Sequence, residues 1–267
     1  MQNRTALEAH RSAKQLIFDL DQDTLMDWSK TELDENNAGN FSPAQTVMAL
    51  NTMNIENPES PIILMLLSNQ HTINDYLSNP ASEELARQGY TVSVLEYPNY
   101  GTSLGLASTN SWLAAIRGAV TLLNHLTGRK IILSGHSIGG PLAIQAVAHD
   151  DMVGKIGGVI SYGGFANLFE MGKDNVSSKV LKFFSKLVVK ATLKKNIIDG
   201  VGSLEKVSQS GIPSLIMHGE KDGAVPVRHL DLYKHKVTEL VENGKINQSL
   251  VQTVQFPDLY HEEINNF

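Results

Sequence analysis

"KIILSGHSIGGPLAIQAVAHD", residues 130–150, decides the reading of the chain. An aliphatic run ends in a glycine, a short polar corner follows, and a helical pattern begins at once. Strand, tight corner and helix in that order describe a βα unit. The corner reads Gly135-His136-Ser137-Ile138-Gly139. A serine on such a turn takes a strained backbone that lifts its hydroxyl clear of the sheet. A side chain at 135 or 139 would collide with the adjoining strand and helix, so glycine is required there. The following helix points its N-terminus at the serine, where negative charge is favoured. A phosphate-binding loop is excluded, because Pro141 and Leu142 stand where Lys and Ser/Thr are needed.

The same alternation extends on both sides. "IILMLL" (62–67), "TVSVLEY" (91–97), "IGGVISYGG" (156–164), "IPSLIMHG" (212–219) and "SLVQTVQF" (249–256) read as strands. "PASEELARQGY" (80–90), "SWLAAIRGAVTLLNHL" (111–126) and "RHLDLYKHKVTELVENG" (228–244) read as helices between them. Strands alternating with helices predict a mostly parallel sheet covered on both faces, an α/β architecture. Residues 4–19 read as an amphipathic helix and 27–46 as a polar loop. The expected organisation is an N-terminal helical and loop extension over 1–60, then one domain over 61–267. A helical cap is expected to be inserted around 165–210.

Composition narrows the function. Of 267 residues, 42% are hydrophobic and 19% charged, as in ordinary globular domains. The net charge of −6 argues against nucleic acid as a partner. Without cysteine the chain has no disulfide, thiolate nucleophile or thiolate metal site. Arg4, Glu8, Arg11 and Lys14 interrupt the first twenty residues, so no signal-peptide core is read. No apolar run approaches the roughly 20 residues of a membrane span. The expectation is a cytoplasmic protein.

A serine hydroxyl is a weak nucleophile until a base takes its proton. Asp222 lies in the turn after the strand at 212–219, and His261 lies in the loop after the last strand. The chain order Ser137, Asp222, His261 suits this chemistry on an α/β sheet. Of nine histidines, His125, His229 and His235 fall inside helices, and His149 ends one. His10 precedes the alternating region, and His136 and His218 are read as packing groups.

"SGHSIGG", "HGEKDGAVP" and "YHEE" together resemble the α/β-hydrolase superfamily. "LEYPNYGTSLG" (95–105) is similar to that family's Y-x-G-[YF]-G-x-S loop. The likeness spans about residues 60–261 and is nearest to small serine esterases, acyl-thioesterases and lysophospholipase-like members. It implies Ser137 as nucleophile, His261 as base and Asp222 as the group orienting that base. The substrate would be a small-molecule or lipid acyl ester, with no metal or organic cofactor. A serine peptidase or amidase would use the same residues. A non-catalytic binding protein on this fold is a further alternative.

Two features depart from the family. The strand at 62–67 normally leads to a His-Gly pair that supplies an oxyanion donor. Here "SNQHTINDY" (68–76) has no glycine. Gln70 or His71 is the expected donor, with the N–H of Ile138 as its partner. Only six residues follow His261, where the family closes with a helix. The chain is therefore expected to be trimmed, or its N-terminal segment to take that place. Within the cap, Lys179, Lys182, Lys186 and Lys190 share one helical face. Phe183 and Phe184 are candidate substrate-binding residues. The basic face is either a solvated surface or a peripheral membrane contact of the 175–198 helix.

Overall fold

The computed structural model describes residues 59–69, 71–77, 79–101, 103, 107–174 and 197–261, together with the backbone of 13–19 and 45–51. Eight strands form one sheet: β1 (Ala13–Asp19), β2 (Gln45–Asn51), β3 (Ile62–Leu66), β4 (Thr91–Glu96), β5 (Ile131–His136), β6 (Ile156–Tyr162), β7 (Ser214–Gly219) and β8 (Val251–Phe256). Their order is β1-β2-β4-β3-β5-β6-β7-β8. The six strands from β4 to β8 run parallel, and β2 and β1 continue the sheet antiparallel. β3 and β4 are buried at every position. The unbroken apolar sequence of β3 follows from that, since both faces are covered.

Helices α1 (Ile73–Leu77), α2 (Pro80–Arg87), α3 (Thr109–Thr127), α4 (Gly139–Val147), α5 (Leu168–Met171), α6 (Gly200–Gln209) and α7 (Arg228–Glu242) connect the strands. α3 shows how the sequence sets its own limits. Ser108 and Ser111 form a reciprocal capping box at its start. Gly128 ends it with φ 67°, a left-handed conformation that glycine adopts without steric cost. Trp112, Ile116, Val120 and Leu123 recur at helical spacing and are fully buried. The Trp112 indole N–H donates to Pro98 O at 3.2 Å and so fixes the loop after β4.

Three expectations need correction. The helix expected over 4–19 is, over 13–19, the edge strand β1. That strand lies at the opposite edge of the sheet from β8, so it does not replace a closing helix. Residues 45 and 46, expected in a loop, begin β2. The cap interval anticipated at 165–210 ends in α6, which packs on α4 and buries Leu204 and Val207. Lys179, Lys182, Phe183, Phe184, Lys186 and Lys190 lie outside the described residues.

On one face of the sheet Ile132, Ile160, Leu215, Met217 and Val254 are only half-buried. A cavity of 160 Å³ lies there, bordered by α2, Tyr76 and Leu259. No described helix is long and apolar enough to cross a membrane.

Candidate active site

Ser137, Asp222 and His261 follow β5, β7 and β8, all at the carboxyl edge of the parallel strands. That is where loops of a parallel α/β sheet converge on ligands. Ser137 has φ 55°, a left-handed conformation rare for a non-glycine residue. Its N–H donates to Tyr162 O at 3.0 Å, and Gly140 N–H donates to Ser137 O at 3.1 Å. Those bonds clamp the corner between β6 and α4.

The glycines around it are explained by close approach. A Cβ on Gly135 would strike the backbone of Gly139 and Gly140 in α4. One on Gly139 would lie 2.6 Å from Leu66 O in β3. One on Gly140 would strike Ser161 Oγ. Helix, elbow and β3 therefore meet with backbone nearly against backbone, and β6 closes the other side with the Ser161 side chain.

Asp222 is held on every side. Its Oδ1 accepts from Ala224 N–H at 2.9 Å and Val225 N–H at 2.7 Å. Its Oδ2 accepts from His261 Nδ1 at 2.6 Å, and the Asp222 side chain is fully buried. Donation from Nδ1 leaves His261 Nε2 as the ring's acceptor, the tautomer a general base needs. His218 Nε2 donates to Val225 O at 2.8 Å and lies 3.4 Å from Asp222 Oδ2, so this histidine braces the carboxylate's turn. Burial lowers its pKa from the ordinary histidine value, and neutral His218 needs no counter-charge.

The base loop is laid along the acid turn. Glu220 N–H donates to Phe256 O at 2.9 Å, and Lys221 N–H donates to Leu259 O at 3.1 Å. Gly219 has no Cβ to strike Leu259 O. Gly163, with φ 57°, lies against the pair: a Cβ there would be 3.3 Å from His261 Nδ1.

The other candidates fall out unevenly. Ile138 is buried and is the N-cap of α4, directly after Ser137. His71 bonds through Nδ1 to Ser68 Oγ inside its own loop. Gln70, Phe183 and Phe184 lie outside the described residues. Among the described residues no three His, Asp or Glu side chains are grouped to hold a metal.

His136, expected to pack under the turn, is fully buried, and it also has polar partners. Nε2 lies 3.0 Å from His261 O, and Nδ1 lies 3.4 Å from Tyr76 Oη. No local sequence signal announces such contacts, because they join residues far apart in the chain.

No family model matches the chain. It is 25% identical over 205 residues to the uncharacterized protein YfhR of Escherichia coli O157:H7, covering 70% of this chain and 63% of that one. With the K12 strain's YfhR the identity is 25% over 162 residues, covering 56% and 49%. The chain thus spans less than two thirds of the curated relatives it matches. Among solved structures, the sugar hydrolase YeeB of Lactococcus lactis superposes with TM-score 0.57 at 20% identity, covering 81% of each chain. The Pyrococcus furiosus esterase Pf2001 gives TM-score 0.59 at 17% identity, covering 82% of this chain and 78% of that one. Est1E of Butyrivibrio proteoclasticus, solved with ferulic acid bound, gives TM-score 0.60 at 18% identity, with coverages of 82% and 88%.

The chain has the α/β-hydrolase fold.

Within the α/β-hydrolase fold, the loop after β4 shows a small substitution with a physical reason. Asn99 stands where the Y-x-G-[YF]-G-x-S pattern has its first glycine, and its φ is 68°. Asparagine is among the few residues that tolerate this conformation. Gly101, the second glycine, has φ 46° and lies directly on the Glu96 carboxylate, where a Cβ has no room. Asn99 therefore supports a left-handed turn at this position without glycine.

Proposed function

We propose that the chain is a serine hydrolase acting on a carboxylic ester or thioester through an acyl-enzyme. The observation that carries this reading is the buried Asp222–His261 hydrogen bond of 2.6 Å, at the sheet edge that also carries the left-handed Ser137. Ser137 Oγ attacks the acyl carbon as its proton passes to His261 Nε2. The carbonyl oxygen becomes an oxyanion, held by Ile138 N–H and a donor from the 68–72 loop. The oxyanion collapses, the bond to the leaving oxygen or sulfur breaks, and His261 returns the proton to that atom. Water then attacks the acyl-enzyme by the same route and frees the acid and Ser137. Asp222 holds the ring in the required tautomer and stabilises the transient imidazolium.

The substrate in this reading is a small-molecule or lipid acyl ester. Phe183 and Phe184 are the candidate acyl-binding residues in this reading, and the lysines of the 175–198 segment are either a solvated face or a peripheral membrane contact. The name of one structural neighbour, the esterase Pf2001, agrees with an ester substrate. A fluorophosphonate probe should label the wild-type protein and not Ser137→Ala. p-Nitrophenyl esters, acyl-thioesters and aminoacyl anilides, compared side by side, distinguish esterase from thioesterase and amidase. Failure of the wild type to label or to turn over any of them would leave a non-catalytic binding protein on this fold.

A further inference from the structure

The base loop is tied to the acid turn on one side, through Lys221 N–H to Leu259 O and the 2.7 Å Lys221–Asp258 ion pair. The main chain of His261 is gripped from the elbow side as well. His136 Nε2–H donates to His261 O at 3.0 Å. That donation fixes the tautomer, so Nδ1 must accept, and Tyr76 O–H supplies the proton at 3.4 Å. Tyr76 Oη in turn accepts from Ser68 N–H at 3.0 Å. One hydrogen-bonded line thus runs from the loop after β3, through the residue preceding Ser137, to the backbone of the candidate base.

The ring geometry holds this line rigid. The His136 ring stacks on Tyr162 with centroids 4.8 Å apart and planes 7° apart. The His261 ring lies against it too, with centroids 4.7 Å apart and planes tilted by 36°. Burial, and then the nearby His261, push the His136 pKa well below the ordinary histidine value. A neutral ring at this place matters. An imidazolium 4.7 Å from His261 would oppose the charge that His261 takes up when it accepts a proton.

We infer that His136 is a positioning residue for His261, acting through its main-chain carbonyl, and that Tyr76 orients His136 while tying it to the 68–71 loop. The inference rests on the hydrolase reading for its catalytic consequence but not for its geometry. His136→Phe keeps a ring of similar shape against Tyr162 and removes both nitrogens. Tyr76→Phe removes one hydroxyl. His136→Gln restores an N–H within reach of the carbonyl.

The test reads two quantities. The first is the proton resonance of the His261 Nδ1–H bond to Asp222, followed by NMR in each full-length variant. The second is kcat and KM for p-nitrophenyl acetate. Wild type should show the bridging proton. His136→Phe should broaden or lose it and lower kcat roughly 10–100-fold with KM little changed, the signature of a displaced catalytic group. His136→Gln should recover part of both, and Tyr76→Phe should fall between. Should His136→Phe fail to fold, Tyr76→Phe and His136→Gln carry the test. An unaltered bridging proton together with unchanged kcat in the folded variants overturns the inference. A wild type that shows the proton yet neither turns over ester nor labels with fluorophosphonate defeats the hydrolase reading alone. The resonance in the variants then still decides whether His136 holds His261.

Discussion

Gly163 faces the Asp222–His261 pair so closely that a Cβ on it would lie 3.3 Å from the imidazole Nδ1 and 3.4 Å from Asp222 Oδ2. Gly163 N–H donates to Met217 O at 2.9 Å, so the residue has little room to retreat. Its φ of 57° adds a cost of about 1–2 kcal/mol for any L side chain. Gly163→Ala should therefore push on the acid–base pair itself. A fall in kcat of roughly 10-fold is expected, because small displacements of reacting groups are costly. Steady-state kinetics beside a melting curve checks it. Full kcat with a lowered melting temperature would show that the contact is only structural.

Ser137 and Asp222 differ in what their loss removes. Ser137→Ala deletes the nucleophile and should lower kcat by roughly 10⁴–10⁶-fold, with folding intact. Asp222→Asn keeps the shape but puts an amide where Oδ2 must accept from His261 Nδ1. The wrong tautomer of His261 is then favoured, and kcat should drop roughly 10⁴-fold. Stopped turnover on p-nitrophenyl esters measures both. Comparable activity in Asp222→Asn and wild type would remove Asp222 from the mechanism.

The parallel core was legible because each strand from β3 to β8 carries its own signal. "IILML" and "KIILSG" are continuous apolar runs, and glycine or proline marks most of their ends. The elbow was legible because sequence-adjacent glycines answer local backbone contacts. β1 was not, because Leu16 and Ile17 in "AKQLIFD" fit an amphipathic helix as well as a strand, and only pairing with β2 decides. α6 opens on "GVGS", a poor helix-forming stretch, and is held by tertiary packing against α4. The Tyr76–His136–His261 line escaped the sequence for a related reason. It joins a helix, a strand end and a loop far apart in the chain, and tautomer and ring orientation are properties of the folded state alone.

Gly139 and Gly223 make a matched pair near the site. A Cβ on Gly139 would lie 2.6 Å from Leu66 O and 3.1 Å from Leu67 O, both backbone atoms that cannot rotate away. Gly223, beside Asp222, has nothing within 4 Å of that position. Gly139→Ala should destabilise by about 1–3 kcal/mol or fail to fold. Gly223→Ala should be neutral or gain up to about 1 kcal/mol through the unfolded state. Urea denaturation of both variants measures the difference. Equal stabilities would mean that the elbow is not packed against β3 as described.

Three buried histidines set the expected acid limit of stability. Burial is the leading cause that lowers the pKa of His136, His218 and His229 from the ordinary value. Each is bonded in its neutral form. His229 Nε2–H donates to Asp174 Oδ2 at 2.7 Å while Nδ1 accepts from Ala166 N–H at 3.1 Å. Protonation of His229 would cost that second bond. Between the lowered folded values and the unfolded value near 6.5, the unfolded chain binds more protons than the folded one. Stability is then complete above about pH 7 and is lost as the pH falls, by up to about 1.4 kcal/mol per pH unit for each histidine. The carboxylates with lowered values, Asp75 and Glu170 among them, act in the same direction but only near pH 4 and below. The two windows are therefore separable. Urea midpoints should hold level from pH 8 to 7 and decline from about 6.5 towards 5. His229→Gln should show a shallower decline over that interval, since one of the three groups no longer titrates. A level midpoint from pH 7 to 5 in the wild type would mean that these histidines take up protons without unfolding, and that their burial is not what holds them neutral.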